Sequence, residues 1–271
     1  LHHSYLPQVL DFFEIGGNAY TVMSFIPGKS LKTLIQEGRY FQRKEVIRWA
    51  MKLCSALQYL HEQIPPIIHG DIKPANIMLM PKGDICLIDF NISFFMDAGT
   101  VLGYTDGYTS PEQYQRVRNI QKGIRENFVK IDERADLYSL GATLYHIITG
   151  EKLGETGEGI DRALLNEKAG ETFAAVISRA AETDPKKRFQ NAAQMLEELQ
   201  LLPKKDRRYK RLLARQWTER IAASVCLAGC IALTGYGVYT MRLEKVERYN
   251  ELVEKQAKLT EEKEFKQQEK V

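Results

Sequence analysis

The chain has 271 residues, 44% of them hydrophobic and 27% charged, the make-up of a globular protein with room for one large domain and an appendage. Its net charge of +3 is too small to argue for nucleic acid as a partner. Four cysteines, Cys226 and Cys230 inside an apolar run and Cys54 and Cys86 elsewhere, offer no disulfide framework and no thiolate metal site.

In chain order, residues 6–10 and 19–25 are predicted as short strands, with Gly16, Gly17 and Asn18 as the turn between them and Pro27-Gly28 ending the second. Val46, Ala50, Leu53, Leu57 and Leu60 recur at steps of four and three, the stripe of a helix running through His61. Ile67 and Ile68 lead into a polar loop. Residues 77–80 and 85–88 then read as two short strands around Pro81-Lys82-Gly83-Asp84, which places Asp89 at a strand end. Residues 92–107 show no sustained period, as expected of a mobile loop. Residues 136–149 are apolar on nearly every face and are predicted as the central helix; 173–181 and 191–202 read as later amphipathic helices.

Between Lys204 and Arg220 lie eight Lys or Arg against two acids, and residues 221–241 then carry no charge over 21 positions. As a helix that run is about 31 Å long, enough to cross a bilayer core. It is rich in Gly, Ala and Tyr, as membrane helices tend to be. The 17 residues before it hold eight cationic side chains and the 17 after it hold five. Residues 1–220 are therefore expected in the cytoplasm, with the cell membrane crossed once and the tail outside. Leu243, Val246, Asn250, Val253 and Ala257 give the tail weak heptad character. It is either a coiled coil, and with it a dimer contact, or a single solvated helix. The chain starts at Leu1 and stops within a helical charge pattern, and it reads as cut at both ends.

The chemistry concentrates in two stretches. His69-Gly70-Asp71-Ile72-Lys73-Pro74-Ala75-Asn76 supplies an acid, a cation and an amide at positions i, i+2 and i+5, and Asp89-Phe90-Asn91 begins 18 residues after Asp71. Such a set suits phosphoryl transfer from a metal-bound nucleotide: one carboxylate to orient a hydroxyl, one to hold Mg²⁺, a Lys to offset charge and an Asn to help hold the metal. The spacing resembles the catalytic loop and metal-binding motif of eukaryotic-type protein kinases, and the single span after them resembles bacterial membrane-anchored Ser/Thr kinases.

This resemblance covers residues 1 to about 202 and implies an α+β, protein-kinase-like fold. The expected architecture is a mostly α-helical large lobe plus the last strands of the small lobe, followed by one transmembrane helix and a helical tail. The implied domains are the end of the small lobe and hinge at 1–28 and the large catalytic lobe at 29–202. A basic juxtamembrane linker at 203–220, the transmembrane helix at 221–241 and a charged helical or coiled-coil tail at 242–271 follow.

The resemblance also implies roles. Asp71 matches the catalytic aspartate that accepts a hydrogen bond from the substrate hydroxyl, Lys73 the residue that reaches the transferred phosphate, and Thr105 the threonine that contacts both. Lys73 and Thr105 together argue for Ser or Thr substrates over Tyr. Asn76 and Asp89 match the ligands of Mg²⁺. For ATP, Met23 looks like the guard at the back of the adenine pocket, Ser24 and Ile26 offer backbone hydrogen bonds, and Met78 is the apolar floor. His69 is expected to pack beneath Phe90 and not to act as a base. Residues 107–112 resemble the segment ending in Ala-Pro-Glu, whose Glu112 should pair with Arg188, and Asp136 should hold the catalytic-loop backbone.

Three departures stand out. Gly70 replaces the Arg that normally meets an activation-loop phosphate, so that switch is expected to be absent or weakened, and Thr100 has no obvious partner. Asn91 replaces the Gly of Asp-Phe-Gly. The Gly-rich phosphate loop, the small-lobe Lys and its helix Glu have no counterpart, so a kinase truncated at the N-terminus, with most of its small lobe missing and little activity as written, is expected. The expected function is an ATP-dependent Ser/Thr protein kinase acting on protein substrates at a membrane. The alternative is a membrane-anchored pseudokinase that binds partners without catalysis.

Overall fold

The computed structural model describes residues 1–89, 104–124, 131–154, 159–205 and 207–268, with the backbone alone at 19, 205, 207–214, 216 and 259–268. Phe90, Asn91, Thr100 and most of the loop expected at 92–107 lie outside the described residues. The chain divides into two compact units, Leu1–Asp206 and Arg207–Val271.

The first unit opens with an antiparallel hairpin, β1 (Val9–Ile15) and β2 (Asn18–Met23), in which Ile15 faces Asn18 and Val9 faces Met23. The Gly16-Gly17 turn dictates which residues pair, so β1 takes the residues next to the turn and not 6–10 as expected. Leu6 goes to the core instead. Directly after Pro27-Gly28 comes β3 (Lys29–Ser30), which pairs with β4 (Ile77–Leu79); β4 pairs in turn with β5 (Ile85–Leu87), all antiparallel.

The expectation that only the last strands of a small lobe accompany the helices is corrected here. The described residues hold five strands in two sheets, β1-β2 and β3-β4-β5. The strand that the sequence hides is β3, because two polar residues beside a Pro-Gly break carry no period to read.

Helix α1 (Leu31–Gln36) starts where the Ser30 side chain accepts from the Thr33 amide. Helix α2 (Arg43–His61) buries the Val46, Ala50, Leu53, Leu57 and Leu60 stripe together with Trp49. A capping box, Ser110 with Gln113, begins α3 (Pro111–Gln121). Helix α4 (Glu133–Thr149) is buried on almost all sides, as its apolar circumference requires, and ends at Gly150. Against it pack α5 (Arg162–Ala169) and α6 (Glu171–Ala180), and α7 (Ala192–Lys205) packs on α6. Helix α4 packs on α2, α5 and α6, and α2 packs on α7, so one continuous core supports the polar loop between α2 and β4.

The second unit is one helix, α8 (Arg207–Gln268), running through the segments read from sequence as linker, span and tail. Among the described residues it is the one helix long and apolar enough to cross a membrane, with a mean hydropathy of 1.8 in its apolar window. Val225, Leu227, Ile231 and Leu233 are exposed along it. Apolar side chains exposed in this way are costly in water and at ease in lipid.

Candidate active site

The loop at residues 69–76 is shaped by what lies beneath it. Asp136, in the first turn of α4, is fully buried, and its carboxylate accepts from the His69 amide, the Gly70 amide and the His61 imidazole, each at 2.8 Å. Burial drives Asp136 toward its neutral form. The His61 bond and charge, His69 and the Gly70 amide oppose this and hold its pKa below the ordinary carboxylate range. Gly70 sits at φ 76°, a left-handed conformation that lets two successive amides meet one carboxylate and that glycine adopts freely. From other sides, Gln113 of α3 donates to the Gly70 carbonyl at 3.1 Å and Thr143 of α4 donates to the Ile72 carbonyl at 3.1 Å.

Farther along, a 3₁₀ turn over Pro74–Asn76 brings the chain back on itself. Proline suits its first position, where no amide proton is needed. The Asn76 side chain thereby donates to both the Asp71 carbonyl at 2.9 Å and Asp71 Oδ2 at 3.0 Å. Lys73 Nζ lies 2.7 Å from the same Oδ2. Thr105 completes the group: its hydroxyl donates to Asp71 Oδ1 at 3.0 Å and accepts from Lys73 Nζ at 3.1 Å. The structure thus brings Asp71, Lys73, Asn76 and Thr105 into one hydrogen-bonded cluster.

Asp89 follows β5, tied to the loop because the Ile88 amide donates to the Asn76 carbonyl at 2.8 Å. Its φ of 64° is uncommon for a residue with a side chain and costs about 1–2 kcal/mol. Strain of this kind collects at functional sites. His69 is buried between the Asp71 amide and the Ile88 carbonyl. Burial holds the pKa of its imidazole low, while Asp136, the Ile88 carbonyl, Asp71 and Asp89 all act in the opposite sense. Its Nε2 meets the Ile88 carbonyl at 3.2 Å and its Nδ1 accepts from the Asp71 amide at 3.3 Å. With both ring nitrogens held by backbone, His69 has none left to take a substrate proton.

The residues expected around a nucleotide lie along the segment joining β2 to β3 and on β4. Met23 ends β2 and is partly exposed, and the Ser24 amide already donates to the Gln8 carbonyl at 2.9 Å, which leaves its carbonyl as the atom that can face a base. Ile26 is half-buried, and Met78, also half-buried, pairs with Ser30 across the β3-β4 ladder.

Behind the site, Glu112 and Arg188 form a buried bidentate pair at 2.7 and 2.8 Å. The remaining Arg188 donors reach the carbonyls of Glu182, Thr183 and Arg134, so all five N–H groups are used. Sequence reasoning found Glu112, Arg188 and Asp136 but missed Gln113, Thr143 and His61. His61 carried a faint signal, a polar residue continuing the apolar stripe at a helix end.

An acid gripped by a lysine and a threonine, with an amide bonded to it and a helical lobe below, is an arrangement suited to phosphoryl transfer. The protein kinase domain model matches residues 1–222, and the chain belongs to the protein kinase family. With five strands among the described residues, the expectation of a kinase with most of its small lobe missing is corrected.

Among its relatives, a probable serine/threonine-protein kinase of Clostridium acetobutylicum is 31% identical over 213 residues, covering 71% of this chain and 30% of that protein. Serine/threonine-protein kinase PknB of Mycobacterium tuberculosis is 28% identical over 217 residues, covering 73% of this chain and 33% of its own length. The chain spans about a third of the curated relatives it matches. The crystal structure of the Mycobacterium tuberculosis PknI kinase domain shares the fold, with a TM-score of 0.56 at 23% identity over 74% of this chain and 73% of that one.

Proposed function

We propose that this chain is the catalytic part of a membrane-anchored serine/threonine protein kinase that transfers the γ-phosphoryl group of ATP to Ser or Thr hydroxyls of protein substrates. The observation that carries this reading is the convergence of Thr105 and Lys73 on the Asp71 carboxylate from distant points of the chain. A carboxylate has about four acceptor positions. Thr105, Lys73 and Asn76 occupy three of them, and the fourth suits an incoming hydroxyl. Asp71 would orient that hydroxyl for attack, and Lys73 would offset charge on the transferred group.

Asn76 and Asp89 would hold Mg²⁺, which when bound neutralises charge on the nucleotide phosphates. The donor set fits such a hard cation. Asn76 uses its amide nitrogen on Asp71, which leaves Oδ1 for a metal, and Asp89 adds a carboxylate. Among the described residues no group of three His, Cys, Asp or Glu gathers, so further ligands would come from water and nucleotide. The Ser24 carbonyl and Ile26 would meet the adenine edge, with Met23 behind it and Met78 beneath. The apolar run of α8 would cross the bilayer once, with residues 1–220 on the cytoplasmic side by the excess of Lys and Arg before it. A dimer contact through the tail rests on the heptad positions alone.

The test is transfer of radiolabelled phosphate from ATP with Mg²⁺ to protein acceptors by the chain in detergent or nanodiscs. Asp71→Asn is expected to lower transfer by about a hundredfold to ten-thousandfold; undiminished turnover in that variant would refute the role given to Asp71. A binding scaffold without catalysis is the second reading, favoured by the exposed Phe12, Ile15 and Phe25 around the β1-β2 hairpin. Nucleotide binding with no Asp71-dependent transfer would select it.

A further inference from the structure

The loop carrying Thr105 is closed on itself. The Thr105 amide donates to Thr109 Oγ1 at 2.8 Å, and Thr109 Oγ1 donates back to the Thr105 carbonyl at 3.1 Å. The Tyr108 and Thr109 amides reach the same carbonyl at 3.2 and 3.1 Å. A turn bonded in this way moves as a unit, so whatever fixes Tyr108 also fixes Thr105. Tyr108 is buried, and its hydroxyl meets Nδ1 of His146, in the last turn of α4, at 2.6 Å. The Lys152 ammonium lies 5.8 Å from the centre of the same ring. Next to it Gly107 approaches the Leu153 carbonyl so closely that a Cβ would stand 2.9 Å from it.

Protonation states set the direction of this contact. Burial pushes the Tyr108 phenol up to about 12, so it keeps its proton and donates. Burial first, and Lys152 second, hold His146 below its ordinary value, so the Nδ1 lone pair is there to accept. If His146 takes a proton, Nδ1 becomes a donor. The contact then survives only if the phenol turns to accept, with a second cation facing Lys152 across one ring.

We infer that the Tyr108–His146 pair is the strut that holds Thr105 against Asp71 and Lys73, which makes His146 a positioning residue for phosphoryl transfer although it touches no reacting atom. The inference deepens the kinase reading and rests on it for its kinetic consequence, but the strut itself can be observed without turnover. Among the described residues, the groups that act on His146 are the Tyr108 hydroxyl from the loop and Lys152 from the segment after α4.

The experiment follows transfer from ATP to a protein acceptor between about pH 5.5 and about pH 8, together with amide hydrogen exchange at Thr105 and Thr109. It compares the unaltered chain with Tyr108→Phe, His146→Leu and His146→Gln. Tyr108→Phe and His146→Leu are expected to lower kcat about tenfold and leave KM for ATP within about twofold, since the nucleotide contacts are untouched. His146→Gln, whose amide oxygen accepts from the phenol without titrating, is expected to recover most of that kcat and to lose the acid limb seen in the unaltered chain. Exchange at the Thr105 amide is expected to quicken about tenfold in Tyr108→Phe and His146→Leu and to stay slow in His146→Gln. An acid limb that persists in His146→Gln, or Thr105 exchange unmoved by Tyr108→Phe, overturns the strut. The expected exchange pattern without transfer in any variant upholds the strut and overturns the kinase reading.

Discussion

The loop at residues 69–76 and the β1-β2 hairpin are opposites in how they are held. Within the loop, the amides of His69 and Gly70 go to Asp136, the Gly70 carbonyl to Gln113 and the Ile72 carbonyl to Thr143. These are buried side chains from two helices far along the chain. The hairpin is bonded to itself. Its ladder, the stacked Phe13–Tyr20 pair and the Gln8–Ser24 bonds at its base supply its order, while Phe12 and Ile15 are each 63% exposed. A backbone whose polar groups are each claimed by a buried partner has one shape, and chemistry that depends on tenths of an ångström belongs there. A self-paired ribbon tolerates substitution on its faces.

The comparison is tested most severely behind the loop. Arg188→Ala strands Glu112 as a buried unpaired acid and is expected to cost about 3–5 kcal/mol, read as a fall in the denaturation midpoint of the first unit in urea. Asp136→Asn should cost about 2–3 kcal/mol in the same assay, because an amide presents a donor where three donors already converge. An Asp136→Asn chain as stable as its parent would show that the loop holds its own shape.

Acid sharpens the contrast further. Asp136 has a depressed pKa, so its contribution is present above the ordinary carboxylate value of 3.8 and is lost as pH falls through its lower folded value. His69 is also depressed, by burial, and folding therefore favours its neutral form. Stability should begin to fall as pH drops below 6.5, the ordinary value, and continue down to the folded value. In thermal melts across that range His69→Phe is expected to flatten the decline, leaving the shares due to His146 and His3, whose pKa values are shifted in the same direction. A slope unchanged by His69→Phe would remove His69 from the account. The smallest effect is expected in the hairpin: Phe12→Thr should change stability by no more than about 0.5 kcal/mol. A loss of 2 kcal/mol or more would mean that this face is packed against something.

Legibility in the sequence follows the same division. The α2 stripe and the central helix were readable because their periods are local and their apolar residues have one place to go. The loop was readable as a motif because its reactive residues are contiguous. Its supports were not: Gln113 and Thr143 meet carbonyls 43 and 71 residues away and lie in no pattern that announces them. The hairpin was recognised by its turn but misplaced by three residues, because β1 alternates too weakly for apolarity to outweigh the register that Gly16 and Gly17 impose. Helices α1, α3 and α5 went unread, being short or polar, with their caps as the main local signal.

The saturated guanidinium of Arg188 has a consequence for how this sequence can drift. Lysine, the usual stand-in for arginine, brings three donors on a single atom and cannot reproduce a planar fork that serves two carboxylate oxygens and three carbonyls at once. Change at residue 188 is therefore closed to gradual steps, and a survivable replacement would have to arrive with an apolar partner at 112 in the same molecule.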